Sequence, residues 1–269
     1  MHRKSLIAAL SLLSAFSAQQ SAQAQEYPVL PHSARYSITL VEAKVGEVTM
    51  LDGDLSIDLI KGCTNWTLQS HFNLAAGNQD GAGFVLVMNQ AATESLDGRR
   101  FEFKTNVVVN DAPEETYQGI ATLKEDGRGE AEFTLPEQKN VRLPEGTLFP
   151  INAMRTNLNA AWGAQQGLMN YIYFDGSELS AWRATDLVAG TPEPLDAQAQ
   201  DPDGITKIGQ PKRIVTTLFD LTNTDAEPIS TYISDILPNG IVTRLTMDLG
   251  FLVAEARLVE VLAIPEPEC

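Results

Sequence analysis

Most of the chain alternates between apolar and polar residues with a period of two. Leu51, Gly53, Leu55, Ile57 and Leu59 share one face, and Asp52, Asp54, Ser56 and Asp58 share the other. This is the pattern of a half-buried strand with one wet face. Similar segments recur over 35–42, 64–73, 84–96, 100–110, 114–123 and 129–135, then over 170–174, 180–188, 212–221, 229–237, 241–249 and 251–262. Asp97-Gly98, Asp126-Gly127 and Asn239-Gly240 fall between them. Such dipeptides tolerate positive φ and close tight hairpins. Consecutive hairpins place successive strands side by side and antiparallel. The expected fold is all-β: a long antiparallel meander curled into a barrel-like or spiral sheet.

One segment breaks the rhythm and predicts a single inserted α-helix over 148–162. Pro150 suits its first turn, where no backbone donor is needed. Ile151, Met154, Leu158 and Trp162 form one apolar stripe at helical spacing, and Gly163 or Gly167 can end it. The polar face lacks the basic residues of surface-binding helices, so the stripe is read as core packing that plugs or caps the sheet. The stretch 190–211 is rich in Pro, Gly and acid. It is a long surface loop or a linker between two domains, and the unchanged pattern on both sides favours the loop.

Residues 1–24 carry a basic start (His2, Arg3, Lys4), an apolar run from Leu6 to Ala18, and Ala22-Gln23-Ala24. These are the three parts of a secretory signal peptide, which leaves 25–269 as a single mature domain. No later segment is long and apolar enough for a transmembrane helix, so an integral membrane protein is not expected. The leader suggests a Gram-negative periplasm, which is oxidising. The two cysteines, Cys63 and Cys269, are not in a CxxC pair and lack nearby histidines. One long-range disulfide is the simplest reading, and two free thiols are the other.

Charge narrows the partners. There are 35 acidic residues against 19 basic ones, for a net charge of −16. Nucleic acid is excluded as a partner because phosphate binding needs clustered cations. Dense acids on the outward faces also argue against a lipid-exposed outer-membrane barrel. Beyond the leader the histidines are His32 and His71. His71 shares a face with Thr67 and Gln69, and no serine partner can be assigned to it. No nucleophile elbow, metalloprotease helix or phosphate loop is present. Asp201-Pro202-Asp203-Gly204 reads as a turn, since it lacks the spaced ligands of a calcium loop. Paired acids for glycoside hydrolysis are a weak signal in so acidic a chain. The expectation is therefore no enzyme, no catalytic residues, no metal and no cofactor. The inward Leu, Val and Phe residues can fill the sheet or surround a cavity fit for an acyl chain or lipidated peptide.

Several stretches carry a resemblance. They are Gly62-Cys63-Thr64-Asn65-Trp66, then Leu143-Pro144-Glu145-Gly146-Thr147-Leu148-Phe149-Pro150 leading into the helix, then Phe174-Asp175-Gly176-Ser177, the run 240–249, and a last strand ending in 265–269. In order and spacing they resemble the EipB family of periplasmic cell-envelope integrity proteins of Gram-negative bacteria. The resemblance covers almost all of the mature chain. It implies a spiral-like antiparallel sheet with an inserted helix, and it matches Cys63 and Cys269 to the family's disulfide cysteines. The family's shape is similar to the LolA and LolB lipoprotein carriers, whose curved sheets hold acyl chains around a helical plug. It has no known reaction, so no catalytic residues carry over. The expected function is a non-enzymatic periplasmic protein that maintains the envelope by binding a protein partner or an apolar envelope component. LolA/LolB-like carriage of lipoprotein or lipid acyl chains is the alternative.

Overall fold

A computed structural model describes residues 27–44, 48–78, 83–110, 112–163, 167–193, 199–221 and 227–269. The expected signal peptide, 1–24, lies outside them. Strands β1 (His32–Ala43), β2 (Met50–Lys61), β3 (Asn65–Gly77) and β4 (Gly83–Ser95) are followed by β5 (Arg100–Val109), β6 (Glu115–Leu123), β7 (Gly129–Leu135) and β8 (Lys139–Leu143). A two-residue strand, β9 (Thr147–Leu148), leads into α1 (Pro150–Trp162). Then come β10 (Leu168–Tyr173), β11 (Trp182–Val188), β12 (Lys212–Asp220), β13 (Ser230–Ile236), β14 (Val242–Asp248) and β15 (Leu252–Ala263). The alternation foretold every strand but β8 and β9. These two are short and lie at the edges of the sheet, where one side has no strand to pack against.

All 15 strands belong to one sheet, running from β8 back to β1 and then from β15 back to β9. The two ends of the strand run, β1 and β15, therefore pair in its middle. Every pairing is antiparallel except β9 with β10. Neighbouring strands lie about 4.8 Å apart, so a flat sheet of this width would separate its edges by roughly 70 Å. Yet β8 and β9 sit at opposite edges and are joined only by Pro144, Glu145 and Gly146. Four Cα steps reach at most about 14 Å. The sheet must roll until its edges meet. Gly146, at φ +80°, makes the turn between them. Register shifts at Arg35/Tyr36, Leu40/Glu42, Gln118/Gly119 and Asp235/Ile236 add local coil.

Aromatic packing welds the closure. Phe101 and Phe103 of β5 and Phe133 of β7 meet Phe149, just before α1, and Phe174, just after β10; all five are buried. Ring centroids are 5.1 Å apart for Phe101–Phe149 and for Phe103–Phe133, and 6.1 Å for Phe133–Phe174. The last pair joins strands that are far apart in the sheet order. Gly176 follows at φ +71°, and a Cβ there would stand 2.3 Å from the Phe103 ring. Only glycine fits that approach.

The segment 190–211 joins β11 to β12, which are adjacent in the sheet. Its Gln200 N–H donates to the Val259 carbonyl and its carbonyl accepts from Val261 N–H, both at 2.9 Å. Gly204 N–H donates to the Asp201 carbonyl and closes the turn expected over 201–204, and Asp201 Oδ1 and Oδ2 accept from the N–H groups of Ile205 and Thr206 that follow it.

A covalent bond completes the frame. Cys63, in the β2–β3 turn, is bonded to Cys269, with Cα atoms 5.6 Å apart and 206 positions between them. The bond fixes the tail that follows β15 beside the start of β3. A loop that long restricts the unfolded chain strongly, by about 5 kcal/mol as an upper figure. Replacing Cys63 or Cys269 with Ser should lower stability by about 2–5 kcal/mol and raise protease sensitivity. Identical melting of the wild type with and without reductant would refute this.

Candidate functional site

The helix is positioned by the sheet more than by its own sequence. Its N-cap is Phe149, which offers no side-chain hydrogen bond, and it carries no acid in the first turn and no base in the last. Pro150 at the start needs no acceptor. The next two N–H groups, of Ile151 and Asn152, donate to Glu94 Oε2 and Oε1 at 2.8 and 2.9 Å. Ala153 N–H donates to the Phe149 carbonyl. At the other end, Lys212 of β12 donates to the Ala161 carbonyl and lies over the Trp162 ring. Glu94 supplies acceptors to the N-terminal N–H groups, and the Lys212 cation at the C-terminus complements the helix dipole.

Ile151 and Leu158 are buried as the stripe predicted, together with Ala153, Ala160 and Ala161. Met154 and Trp162 are only half-buried. The buried stripe packs in one cluster with Leu59 and Trp66 on one side and Ile214 and Ile236 on the other. The helix thus bridges the lumen.

Glu94 belongs to the inward face of β4, shared with Phe84, Leu86, Met88, Gln90 and Ala92. It is only 3% exposed. Burial pushes its carboxyl up to about 7, and the two N–H groups and Arg155 only partly offset this. Gln90, the other polar residue on this face, donates to the Asp175 carbonyl at 2.8 Å. One strand therefore holds both the start of α1 and the turn after β10.

A cavity of about 320 Å³ remains between α1 and the inward face of β10–β14. That volume is within the usual range of small-ligand sites, about 300–1,000 Å³. The helix contributes Ala153, Met154 and Asn157, and the aliphatic floor is Ile214, Leu218 and Leu245. Tyr171, Tyr173 and Tyr232 supply aromatic walls, and Asp175 supplies a carboxylate. Tyr171 donates to Asp186 Oδ2 at 2.6 Å. Burial, then the Asp186 carboxylate, holds its hydroxyl above the ordinary phenol range. Burial, then Asp175, does the same for Tyr173. Both hydroxyls stay protonated.

The outer face of β2–β5 has a groove of similar volume, about 360 Å³, lined by polar side chains including Ser56, His71 and Asn106. It is shallow and polar. The cavity beside α1 is less open and its lining is mostly apolar, which makes it the better candidate.

His71 projects outward into that groove, its Nδ1 2.6 Å from Asn89 Oδ1. His32 is buried, with Nδ1 2.7 Å from the Leu30 carbonyl, and burial lowers its pKa. Neither histidine lines the cavity. Sequence reasoning missed Glu94, Asp186 and the tyrosines. The signal for the two acids was available: each interrupts an inward face that is otherwise mainly apolar.

Fold and cavity define a class of protein, a single antiparallel sheet rolled around a short helical plug with a hollow beside it. The chain belongs to the EipB-like family, whose sequence profile matches residues 23–265. Its fold is similar to the crystal structure of a β-barrel-like protein of a domain of unknown function from Brucella abortus. That likeness has a TM-score of 0.78 and 24% identity, and covers 89% of this chain and 100% of the other. No curated protein sequence matches the chain.

The Glu94 linkage has a definite sign. The folded protein keeps a proton on Glu94 that the unfolded chain releases above the ordinary value of 4.5. The stability Glu94 contributes is therefore greatest at low pH and falls as pH rises to about 7. The slope is at most about 1.4 kcal/mol per pH unit. Urea melts of the wild type and Glu94→Gln should diverge across that window, with the wild type losing stability relative to the variant. A pH-independent difference would refute the assignment.

Proposed function

We propose that this is a non-enzymatic periplasmic protein that supports the cell envelope by holding an apolar envelope component in the cavity under α1. The observation that carries the reading is the cavity itself. The roll is closed and packed with aromatic rings around Phe101 and Phe174, yet Ile214, Leu218 and Leu245 face open space beside the helix. Burying apolar ligand surface against such a floor is favourable at about 25 cal/mol per Å². The Cys63–Cys269 disulfide supports the compartment, because such bonds persist where the surroundings are oxidising. In this reading residues 1–24 direct export.

Carriage of lipoprotein or lipid acyl chains is a second reading. It is favoured by the way α1 is held. Side chains of the sheet grip its two ends, at Glu94 and Lys212, while Met154 and Asn157 between them line the cavity. With the helix held at both ends and packed through Leu158 on its far side, the side chains that face the cavity can turn to admit a chain while the helix stays in place.

Native mass spectrometry of protein purified gently from the periplasm tests both. One acyl-bearing component per chain is expected, and Thr216→Trp, which fills the cavity from β12, should abolish it. Protein free of ligand, together with no saturable binding of an alkyl probe, would overturn the reading in favour of a surface that binds a partner protein.

A further inference from the structure

The cavity is electrostatically one-sided. Of the described residues that line it, none is Lys, Arg or His, and one, Asp175, is a carboxylate. A further acid acts on one of its tyrosines from behind, Asp186 on Tyr171. The cations on the neighbouring strands are engaged elsewhere. Arg213 and Arg244 converge on Asp235, on the outer side of the sheet. Lys212 is taken up by the C-terminus of α1.

The wall beside Tyr171 also has acceptors without donors. Asp186 is fully buried, and only its Oδ2 is engaged, by the Tyr171 hydroxyl. Its Oδ1 and the Oδ1 of Asn157 are both buried with no hydrogen-bond partner among the described residues. Buried acceptors in that state are destabilising until a donor reaches them. Both residues interact with the Tyr171 side chain, and Asn157 and Tyr171 line the cavity. A ligand that brings N–H groups to Tyr171 meets acceptors already in place. One that brings a negative charge meets repulsion from Asp175 and finds no cation among the lining residues.

We infer that the cavity selects an alkyl or acyl chain whose head carries N–H donors and no negative charge, an amide or an amine, over a chain ending in carboxylate or phosphate. This rests on the proposal that the cavity takes an apolar ligand. Two sources share that chemistry, an N-acylated protein terminus and an amino lipid.

The test is calorimetric titration of the full mature chain with dodecylamine, N-dodecylacetamide and dodecanoate, at neutral pH and below micelle formation. The amine and the amide should each bind at least about tenfold more tightly than dodecanoate. Whichever binds more tightly indicates the source. Asp175→Asn and Asp186→Asn should shrink the preference to about threefold or less. Asp175→Asn keeps the oxygen that accepts from Ser177 N–H at 3.0 Å, so it tests the charge without disturbing the turn. Dodecanoate binding as tightly as the amine, or a preference unchanged in both variants, would overturn the inference while leaving a ligand-binding cavity. Failure of all three probes to bind would overturn the cavity reading, and this inference with it.

Discussion

The chain crosses from one edge of its sheet to the other within the four Cα steps between Leu143 and Thr147. No other constraint determines so much of the structure. Antiparallel strands joined by short turns can form an open, twisted ribbon of any curvature. Here the tether admits only a roll. Gly146 turns the chain, β9 pairs in parallel with β10, and Phe149 enters the aromatic cluster one residue later. The helix that follows has nowhere to go except into the lumen, because its first residue is already inside the closure.

Once inside, the helix meets the problem of every buried helix end, unpaired N–H groups with no water to satisfy them. The sequence of α1 solves one by Pro150 and leaves the next two to Glu94. A buried carboxylate is costly, as its raised pKa shows, and the compensation is that it fixes the helix in rotation and height against β4. Lys212 does the corresponding work at the far end from β12. Because those two strands lie on different sides of the lumen, the helix becomes a strut across it. Space excluded on the β2–β5 side by Leu59, Trp66 and the phenylalanines reappears as a cavity on the β10–β14 side.

The sequence made this architecture readable in uneven measure. Long strands such as β2 and β5 show their faces by alternation, and Asp97-Gly98, Asp126-Gly127 and Asn239-Gly240 mark real turns, each glycine having positive φ. The pairing of Cys63 with Cys269 was the simplest reading of two cysteines in a chain whose leader predicts export. Strands β8 and β9 were hidden because five residues and two residues carry too little periodicity. Leu143–Pro150, one of the stretches that carry the family resemblance, takes in the last residue of β8 and all of β9, and the structure shows why it is informative: it is the closure. Glu94, Gln90 and Asp186 interrupt apolar faces, and their partners are 57, 85 and 15 positions away, beyond the reach of local pattern. A hollow has no residue signature at all, since it depends on how far apart two walls are held.

The two halves of the roll are consequently different materials. Around Phe101, Phe103 and Phe133 the inward face is close-packed, with Gly176 set against a ring. Such packing resists deformation, since any shift opens a void or forces an overlap. Around Tyr171, Thr216, Tyr232 and Ser234 the inward face mixes hydroxyls with aliphatic groups, and most of its side chains are only half-buried. There a side chain can turn without breaking a packed core. The disulfide and the aromatic weld hold the first half and both sheet edges in place, so adjustment to the proposed occupant is confined to β10–β14 and the helix side chains that face them. A roll that were rigid throughout could only be filled as it folded. One rigid on one side and adaptable on the other can open and refill while keeping its shape.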